Sequence, residues 1–410
     1  MQNNLVEQDS QQAWFRLAII FTMSVIGTAG MWSVVIILPN IQNEFTLDRA
    51  ASTYPYVATM FGYGFGNVII GRMLDKIGIK KPIIFALCLL ITSYVLSFFA
   101  KNVFWLSTIQ FFLGFSAAAF FGPMMADISN YFYKRKGLAV SLVASGQHLC
   151  GAIWPFVIKD FIIEGDWRNA HLFIALVCSI LIPILFYFLG NKVPKMNNEQ
   201  KLTTQDEDIN SKVNLSISNR QIQILLMIAG VLCCVAMSMP QVHIVPLCID
   251  NGYGLAVGTE ILSFMLFAAV ASRVIFGFLS DKIGPIQTLI LGSSLQAISL
   301  TMFLPFNSQL SLYIVAICFG LSQGGIVPIY AVIISKFLPS NEVAERVGWL
   351  IFATIIGMSL GGWLSGEIYD FTNSYRLAFI NGIFWNIINL CIMIYLFIIY
   401  QKSKIVTVNK

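Results

Sequence analysis

Apolar stretches of about 20 residues recur along the whole chain, and they constrain its fold more than any other feature. A helix of that length crosses the ~30 Å hydrocarbon core of a bilayer and satisfies its own backbone hydrogen bonds there. Only 11% of the residues are charged, against roughly 25% in soluble domains. Twelve such stretches predict an all-α integral membrane protein with twelve transmembrane helices, at residues 15–38, 54–72, 82–100, 103–127, 137–163, 170–190, 222–247, 255–280, 286–306, 310–336, 347–367 and 375–400.

One polar segment divides these spans into two groups of six. Residues 191–220 are rich in Asn, Asp, Gln and Lys and carry no aromatic side chain, which favours a flexible linker. The sequence repeats on either side of it: GRMLDKIGIKKPI begins at Gly71 and GFLSDKIGPIQTL begins at Gly277, 206 residues later. The repeat predicts two parallel bundles that face one another, an N-terminal six-helix bundle over 1–190 and a C-terminal six-helix bundle over 221–410.

The positions of the 25 lysines and arginines predict the orientation. When both termini are placed in the cytoplasm, nineteen of these residues lie in inside segments, five lie in outside loops, and Arg273 alone lies within a span. This asymmetry is typical of the positive-inside rule. It predicts a multi-pass protein of the cell membrane, in a bacterium the inner membrane, and it explains the net charge of +5 without a nucleic-acid partner.

Arg273 is a permanently charged side chain at a depth where charge is unfavourable. It stands eight residues before Asp281, about 12 Å from the end of its helix and near the bilayer midplane. Such a charge costs at least about 2.5 kcal/mol against lipid, so it should face a cavity or a partner. The acidic residues lie nearer the ends of the predicted spans. A substrate carboxylate is the predicted partner, because the planar guanidinium offers it two parallel donors. The alternative is a structural arginine paired with another helix.

The repeated stretch resembles a loop signature of the major facilitator superfamily. Glycines, an aspartate and a basic residue stand at matching places in both copies, while Ile79 replaces a usual basic residue in the first. The twelve spans and the central linker extend the resemblance across essentially the whole chain. It implies a transporter fold in which these residues form the cytoplasmic gate, with the glycines permitting tight turns and close helix approach. The implied gate residues are Gly71, Asp75, Lys76, Gly78, Lys80, Gly277, Asp281, Lys282 and Gly284.

Three further stretches resemble the branch of that superfamily that contains monocarboxylate porters and oxalate/formate antiporters. NYFYKRKGLAVSLVASG, from Asn130, is similar to the fifth-span signature of the porters. PQVHIVPLCIDNGYG, from Pro240, resembles the end of their seventh span, and GGWLSGEIYDFTNSYRLAF, from Gly361, resembles the turn between the eleventh and twelfth spans. That family places its substrate-carboxylate arginine at the position of Arg273, so the resemblance implies a carboxylate porter.

Departures from those relatives bear on the substrate and on proton coupling. Oxalate porters carry a second cation in the eleventh span, whereas residues 347–367 contain no Lys or Arg, which favours a monoanion. Animal monocarboxylate porters carry an aspartate one turn before the arginine and a lysine in the first span. Here Ala269 stands at the position of the aspartate, and residues 15–38 contain no lysine. The proton-coupling scheme of the animal porters therefore does not transfer to this chain.

Histidines and a few polar or aromatic side chains complete the candidate site. His148, about 18 Å into the fifth span, is predicted either as a hydrogen-bonded core residue or as a cavity residue that binds substrate or a proton. His243, in the matched seventh-span stretch, is predicted to act in proton coupling or at the outer gate. Phe121 stands where relatives carry a tyrosine, which favours a more apolar acyl group. The other candidate substrate-binding residues are Gln147, Gln323 and Tyr330.

These features predict a secondary active transporter of small monocarboxylates of the lactate, pyruvate or 2-oxo-acid class. It would work by alternating access, with proton symport or anion exchange. The sequence has no phosphate-binding loop, HExxH zinc site or nucleophile elbow, so no enzyme and no cofactor are predicted. The expected partners are the carboxylate, protons or a counter-anion, and the lipid bilayer. The transporter is expected to be a monomer. Two alternatives are an exporter of apolar compounds on the same fold, which would not need Arg273, and a carboxylate-sensing membrane receptor with a folded cytoplasmic extension.

Overall fold

Helices make up nearly all of the described chain in the computed structural model, which covers residues 5–189, 193–194, 217–338 and 342–408. The helices form twelve spans, as the apolar stretches predict. Three of these spans consist of two helices each. The spans in chain order are Gln11–Gly27 with Ala29–Glu44, Tyr54–Ile77, Lys80–Phe98, Val103–Ala117 with Gly122–Ser129, Lys136–Ile163, Trp167–Leu189, Asn219–Asp250, Gly254–Ile283, Pro285–Met302, Gln309–Gln323 with Ile326–Phe337, Val343–Thr372 and Tyr375–Val408.

Ten spans in the described part of the chain are long and apolar enough to cross a membrane by length and composition. The second and ninth spans, Tyr54–Ile77 and Pro285–Met302, are less hydrophobic because they contain more Gly, Asn, Ser and Gln. Both pack against neighbouring spans, the second against the fourth and eleventh spans and the ninth against the twelfth. Ser293 and Gln296 of the ninth span are buried by this packing, which shields them from lipid.

The spans pack as two six-helix bundles, which confirms the predicted architecture. We call spans one to six the N half and spans seven to twelve the C half. In the N half the first span packs on the fifth and sixth, and the fourth on the second and third; in the C half the seventh packs on the eleventh and twelfth, and the eighth on the tenth. The halves meet along two seams, the second span with the eleventh and the fifth with the eighth. Most of the predicted linker, 191–220, lies outside the described residues, and the seventh-span helix already begins at Asn219.

The internal repeat is visible in the way the helices approach one another. A Cβ at Gly114 would overlap the backbone of Thr59, and a Cβ at Gly320 would overlap the backbone of Met265. The second pair lies 206 positions after the first, the same offset that separates the repeated sequence stretches. Glycine at these crossings lets the fourth and tenth spans lie directly against the second and eighth.

Three spans are broken near their middle. The first span is interrupted at Thr28, the fourth at the 3₁₀ turn Ala118–Phe120, and the tenth at Gly324 and Gly325. Breaks of this kind in membrane helices bring backbone polar groups to mid-membrane depth, where side chains of neighbouring spans can bind them.

The helical assembly has two ends, which we call the terminal face and the distal face. The terminal face holds Gln11, at the start of the first span, and the short parallel pairing of strands Leu5–Val6 and Val193–Pro194. The distal face holds Glu44 and the short helix Arg49–Ser52, which joins the first and second spans. The predicted orientation places the terminal face in the cytoplasm.

Candidate functional site

Arg273 joins the two halves near the middle of the molecule. The residue is only 6% exposed, and its Nε donates to the carbonyl oxygen of Gly324 at 3.1 Å, in the tenth span of the same half. Its Nη1 donates to the carbonyl oxygen of Ala144, in the fifth span of the N half. None of the ion pairs between described residues includes Arg273. The guanidinium is therefore held by neutral carbonyl groups, and no described carboxylate compensates its charge.

The break in the tenth span positions the carbonyl group that Arg273 binds. A Cβ at Gly324 would overlap the backbone of Ala269, so glycine is what allows the broken helix to lie against the eighth span. The backbone N–H of the next residue, Gly325, donates to Ser272 Oγ at 3.2 Å. Bonds from two consecutive eighth-span residues thus fasten the break in place.

Fifth-span residues and the broken first span form one side of this centre. The ring of Trp32 meets that of His148 edge-on, with centroids 6.0 Å apart, and its Nε1 donates to the carbonyl oxygen of Gln147 at 2.8 Å. The Gln147 side-chain amide lies against the sulfur of Met31. His148 lies one helical turn beyond Ala144, whose carbonyl oxygen Arg273 binds. The structure therefore brings the predicted pair Gln147 and His148 to the centre of the molecule.

Tyr63 of the second span also reaches this centre, and the sequence analysis missed it. Its ring lies 5.9 Å from that of Phe121, which stands at the break of the fourth span. The internal repeat could have identified the second span, because the 206-residue offset pairs Arg273 with Asn67, one helical turn from Tyr63.

Several buried polar atoms around this centre have no hydrogen-bond partner among the described residues. They include Tyr63 Oη, His148 Nδ1 and both amide atoms of Gln323, the residue before Gly324. An unpaired buried polar atom costs about 1–3 kcal/mol, and native structures contain few of them. Their gathering near one charged side chain marks a place that a ligand or water would complete.

Tyr330, a predicted substrate contact, lies in a different environment. Its hydroxyl group donates to Asn389 Oδ1 at 2.7 Å, and Asn389 in turn donates to Ser293 Oγ at 3.0 Å. All three residues are fully buried within the C half. Because this hydroxyl group is already satisfied, the position of Tyr330 favours a structural role between the tenth and twelfth spans.

His243 lies towards the distal face, with both ring nitrogens bonded. Its Nε2 donates to the carbonyl oxygen of Gly362 at 2.7 Å, because a carbonyl group can only accept. In the neutral ring Nδ1 then accepts from the Tyr375 hydroxyl at 3.0 Å. These bonds tie the seventh span to the eleventh and twelfth, a position that suits the outer-gate part of the prediction better than proton coupling.

Arg49 is the centre of a distal clamp, which we define as Arg49, Asp250, Tyr369 and Asp370. Its Nη2 donates to both carboxylate oxygens of Asp250, at 2.9 and 3.2 Å, and its guanidinium carbon lies 4.6 Å from the ring centroid of Tyr369. The Asp370 carboxylate accepts from the backbone N–H groups of Arg49 and Ala50 at 2.8 and 2.7 Å. The clamp joins a loop helix of the N half to the ends of the seventh and eleventh spans.

A second ion pair fastens the other seam at the same face. Lys159 Nζ lies 2.7 Å from Glu260 Oε1, which joins the fifth span to the eighth. The second carboxylate oxygen of Glu260 accepts from the Tyr313 hydroxyl at 2.9 Å. Both seams between the halves are thus held by charge at the distal face, and the structure is a distal-closed conformation.

A family model for the Major Facilitator Superfamily matches residues 20–271 and 226–408. The chain belongs to the major facilitator superfamily. This confirms the resemblance that the repeated loop stretch indicated, and it makes a transporter the class of protein to which the site must be fitted.

Individual relatives are distant but cover most of the chain. Monocarboxylate transporter 13 of Rattus norvegicus is 23% identical over 326 residues, 77% of this chain and 73% of the relative. MFS-type transporter 1 of an Ophiocordyceps species is 21% identical over 330 residues, 78% of this chain and 71% of the relative. A crystal structure of a bacterial homologue of the human lysosomal transporter Spinster, in an inward-facing and unoccupied conformation, matches with a TM-score of 0.74 at 11% identity, covering 96% of this chain and 99% of that one. That likeness shows the same fold.

The glycines of the repeated superfamily stretch divide into two kinds in this transporter. Gly78 and Gly284 end the second and eighth spans with φ of 74° and 93°, in the left-handed region that favours glycine. A Cβ at Gly71 or Gly277 would meet no atom within 4 Å. The expected tight turns are present, whereas the expected close helix approach at Gly71 and Gly277 is not, because no neighbouring helix reaches them in the distal-closed conformation.

The charged members of the implied gate lie at the terminal face. Lys76, Asp281 and Lys282 are exposed, and Lys80 is partly buried. The side chain of Asp75 lies outside the described part of the structure. The gating role of these residues remains a prediction.

Proposed function

We propose that this transporter carries small monocarboxylates of the lactate, pyruvate or 2-oxo-acid class by secondary active transport. The proposal rests on Arg273, which is buried at the contact between the halves and bonded only to neutral carbonyl groups among the described residues. A carboxylate is the small anion whose shape best matches a guanidinium. Similarity to a protein named monocarboxylate transporter 13 supports the same substrate class.

The pairing of other arginines supports a substrate with a single negative charge. Arg16 lies 2.8 Å from Asp127, and Arg346 lies 2.6 Å from Glu342, so both already have carboxylate partners. One carboxylate would neutralise the charge of Arg273. A dianion would leave one negative charge without a partner in the membrane interior, which is unfavourable.

The bonds of Arg273 to both halves provide a means of coupling binding to movement. An unpaired charge opposes enclosure because it must lose its hydration without gaining a counter-ion. Once a carboxylate neutralises the guanidinium, the halves can close over the site from the terminal side and open at the distal side. The N half then rocks against the C half, and the substrate shifts the equilibrium because it stabilises the occluded state.

Proton symport and anion exchange both satisfy this cycle. His148 is the candidate proton carrier, because it lies one helical turn beyond Ala144, whose carbonyl oxygen Arg273 binds, and its Nδ1 has no partner among the described residues. The positive-inside distribution of Lys and Arg supports a cell-membrane location with the terminal face in the cytoplasm.

Export of apolar compounds is the second candidate function, and the aromatic side chains at the centre favour it. Trp32, Tyr63 and Phe121 lie beside the breaks of the first and fourth spans and would suit an apolar substrate. Such an exporter would not need the charge of Arg273. A carboxylate-sensing receptor on the same fold would bind the acid without moving it.

Uptake into proteoliposomes tests the proposal. Wild type, Arg273→Lys and Arg273→Ala are compared with radiolabelled lactate, pyruvate, acetate, a branched-chain 2-oxo acid and oxalate, with and without an inward proton gradient. We expect saturable uptake of the monoanions by wild type. Arg273→Ala should lower kcat/KM about 100-fold, because it removes charge-assisted hydrogen bonds, and Arg273→Lys about tenfold, because it keeps the charge but loses the planar fork.

Three results would reject or redirect the proposal. Uptake of every acid by a folded Arg273→Ala protein at the wild-type rate would make the arginine structural. Binding of lactate by wild type without uptake would favour the receptor, and transport of an apolar dye that does not depend on Arg273 would favour the exporter. The effect of the proton gradient on wild type separates symport from exchange.

A further inference from the structure

One peptide group at the break of the tenth span is bound at both ends by neighbouring residues of the eighth span. Its carbonyl oxygen, from Gly324, accepts from Arg273 Nε at 3.1 Å. Its N–H, from Gly325, donates to Ser272 Oγ at 3.2 Å. We call this group the break peptide. The C=O and N–H bonds of a trans peptide group point in opposite directions within one rigid plane, so holding the N–H also fixes the direction of the carbonyl group that the arginine binds.

Burial makes the bond to the serine necessary for this direction. Ser272 is fully buried, and Gly325 is buried as well. An unpaired backbone N–H is unfavourable in such a place, so without the serine hydroxyl the break peptide would turn towards another acceptor. That movement would take the Gly324 carbonyl away from Arg273 Nε. The bond to the serine also polarises the break peptide, which makes its carbonyl oxygen a better acceptor.

The N half contains an equivalent break without this arrangement. The 206-residue offset makes Gly324 equivalent to Ala118, where the fourth span is broken, and Ser272 equivalent to Gly66. Gly66 has no side chain to bind a peptide group, and a Cβ there would overlap the backbone of the fourth span. A break of this kind therefore forms without a serine. What the serine adds in the C half is the orientation of a carbonyl group towards Arg273.

We propose that Ser272 is a positioning residue for substrate binding: it fixes the break peptide, and the break peptide fixes the plane of the Arg273 guanidinium. This inference rests on the proposed function and deepens it by assigning a residue that prepares the arginine for the carboxylate. Nε lies in the plane of the guanidinium, so an acceptor held in place for its N–H sets the orientation of the whole group. Two parallel bonds to a carboxylate require that orientation, and an arginine that already has it binds at a lower entropic cost.

A double-mutant cycle between Ser272→Ala and Arg273→Lys tests the positioning role, with lactate uptake into proteoliposomes as the measurement. Lysine keeps the charge but has no planar group for the break peptide to orient. We expect Ser272→Ala to lower kcat/KM about fivefold when Arg273 is present, as loss of one hydrogen bond does. In the Arg273→Lys background the same change should lower kcat/KM less than twofold, because residues that act through one another are not additive.

Ser263→Ala is the matched control for loss of a buried hydroxyl group from the eighth span. Ser263 is 1% exposed, lies ten residues before Arg273, and donates to the carbonyl oxygen of Thr259 in its own helix at 3.0 Å. We expect Ser263→Ala to leave kcat/KM within twofold of wild type.

Each other result overturns the inference in a recognisable way. A kcat/KM within twofold of wild type in Ser272→Ala, while Arg273→Lys is impaired, would exclude the positioning role and leave the proposed function standing. An equal loss in both backgrounds, or an equal loss in Ser263→Ala, would make the effect one of helix packing. Failure of the proposed function is seen separately, because Arg273→Ala would then transport the acids as well as wild type does.

Discussion

His243 and His148 lie at different depths of the transporter, and their ring nitrogens have different surroundings. Both nitrogens of His243 are bonded, to Gly362 and Tyr375, and the residue is fully buried. His148 packs against Trp32 and its Nδ1 has no partner among the described residues. Hydrogen bonding therefore predicts a structural role for His243 and a substrate or proton contact for His148.

Substitution of each histidine by alanine separates these roles. His243→Ala leaves the Gly362 carbonyl and the Tyr375 hydroxyl without a partner, so we expect it to lower the free energy of unfolding by about 2 kcal/mol. It should leave the KM for lactate unchanged. His148→Ala should raise that KM several-fold and lower the stability less than His243→Ala does, because its Nδ1 has no bond to lose.

Thermal unfolding in detergent and uptake into proteoliposomes measure the two quantities on the same preparations. The assignment is wrong if His243→Ala alters KM while the melting temperature stays at the wild-type value, or if His148→Ala lowers the melting temperature while KM is unchanged.

Between elements, the distal clamp joins the two halves through a partly buried ion pair. Arg49 is 8% exposed and bonds Asp250 through both carboxylate oxygens. Removing one partner of such a partly buried pair costs about 2 kcal/mol, between the values for surface and fully buried pairs. We expect Arg49→Met to raise the population of the distal-open conformation about 30-fold, since the clamp exists only when the distal face is closed.

A change in the distance between spin labels at Lys101→Cys and Asn307→Cys measures this shift, because both positions are exposed on distal loops of opposite halves. Arg168→Met is the matched control. Arg168 lies 2.6 Å from Glu44 at the same face, but both residues belong to the N half. Equal distance distributions in wild type and Arg49→Met would exclude a latch function for the clamp.

The positions of the helices could be predicted from the sequence, because the thickness of a bilayer sets the length of an apolar stretch. The predicted span 222–247, for example, lies within the helix Asn219–Asp250. The breaks at Phe121 and Gly324 could not be predicted in this way. They depend on how closely the fourth and tenth spans approach the second and eighth, which is a property of packing.

The sequence predicts how deep in the membrane each residue of the candidate site lies. It does not predict which side of each helix faces the centre. Helical rise alone puts Arg273 near the middle of its span, and the fifth-span pair Gln147 and His148 follows by the same arithmetic. Which side of the second span faces the centre is decided by contacts with other helices, so Tyr63 was missed. The contact of Arg49 with Asp370 joins residues 321 positions apart, and no local pattern contains it.

Over the whole molecule, the described polar contacts between the halves lie at the distal face, apart from the central bond between Arg273 and Ala144. Arg49 and Lys159 each carry an ion pair across one of the two seams. At the terminal face the glycines of the repeated stretch, Gly71 and Gly277, have open space beside them. The two faces are therefore not equivalent in this conformation, and alternating access requires the distal seams to separate while the terminal ends of the halves approach.

Covalent closure of one distal seam should stop transport if the halves rock as proposed. Lys159 and Glu260 form a 2.7 Å ion pair between the fifth and eighth spans, so Lys159→Cys with Glu260→Cys can be joined by a short bifunctional thiol reagent. The exposed native cysteines Cys88 and Cys391 are first replaced by serine. We expect the joined protein to lose lactate uptake. It should still bind lactate from the terminal face, because access from that face does not require the distal seam to open.

A crosslink within one half is the control that isolates movement between halves. Arg168→Cys with Glu44→Cys places the same reagent at the same face but inside the N half, and we expect uptake to continue after it is joined. Uptake at the uncrosslinked rate by the joined Lys159→Cys and Glu260→Cys protein would show that the distal seam need not open. Substrate would then have to leave by another route, and Arg273 could not act by alternating access between the two halves.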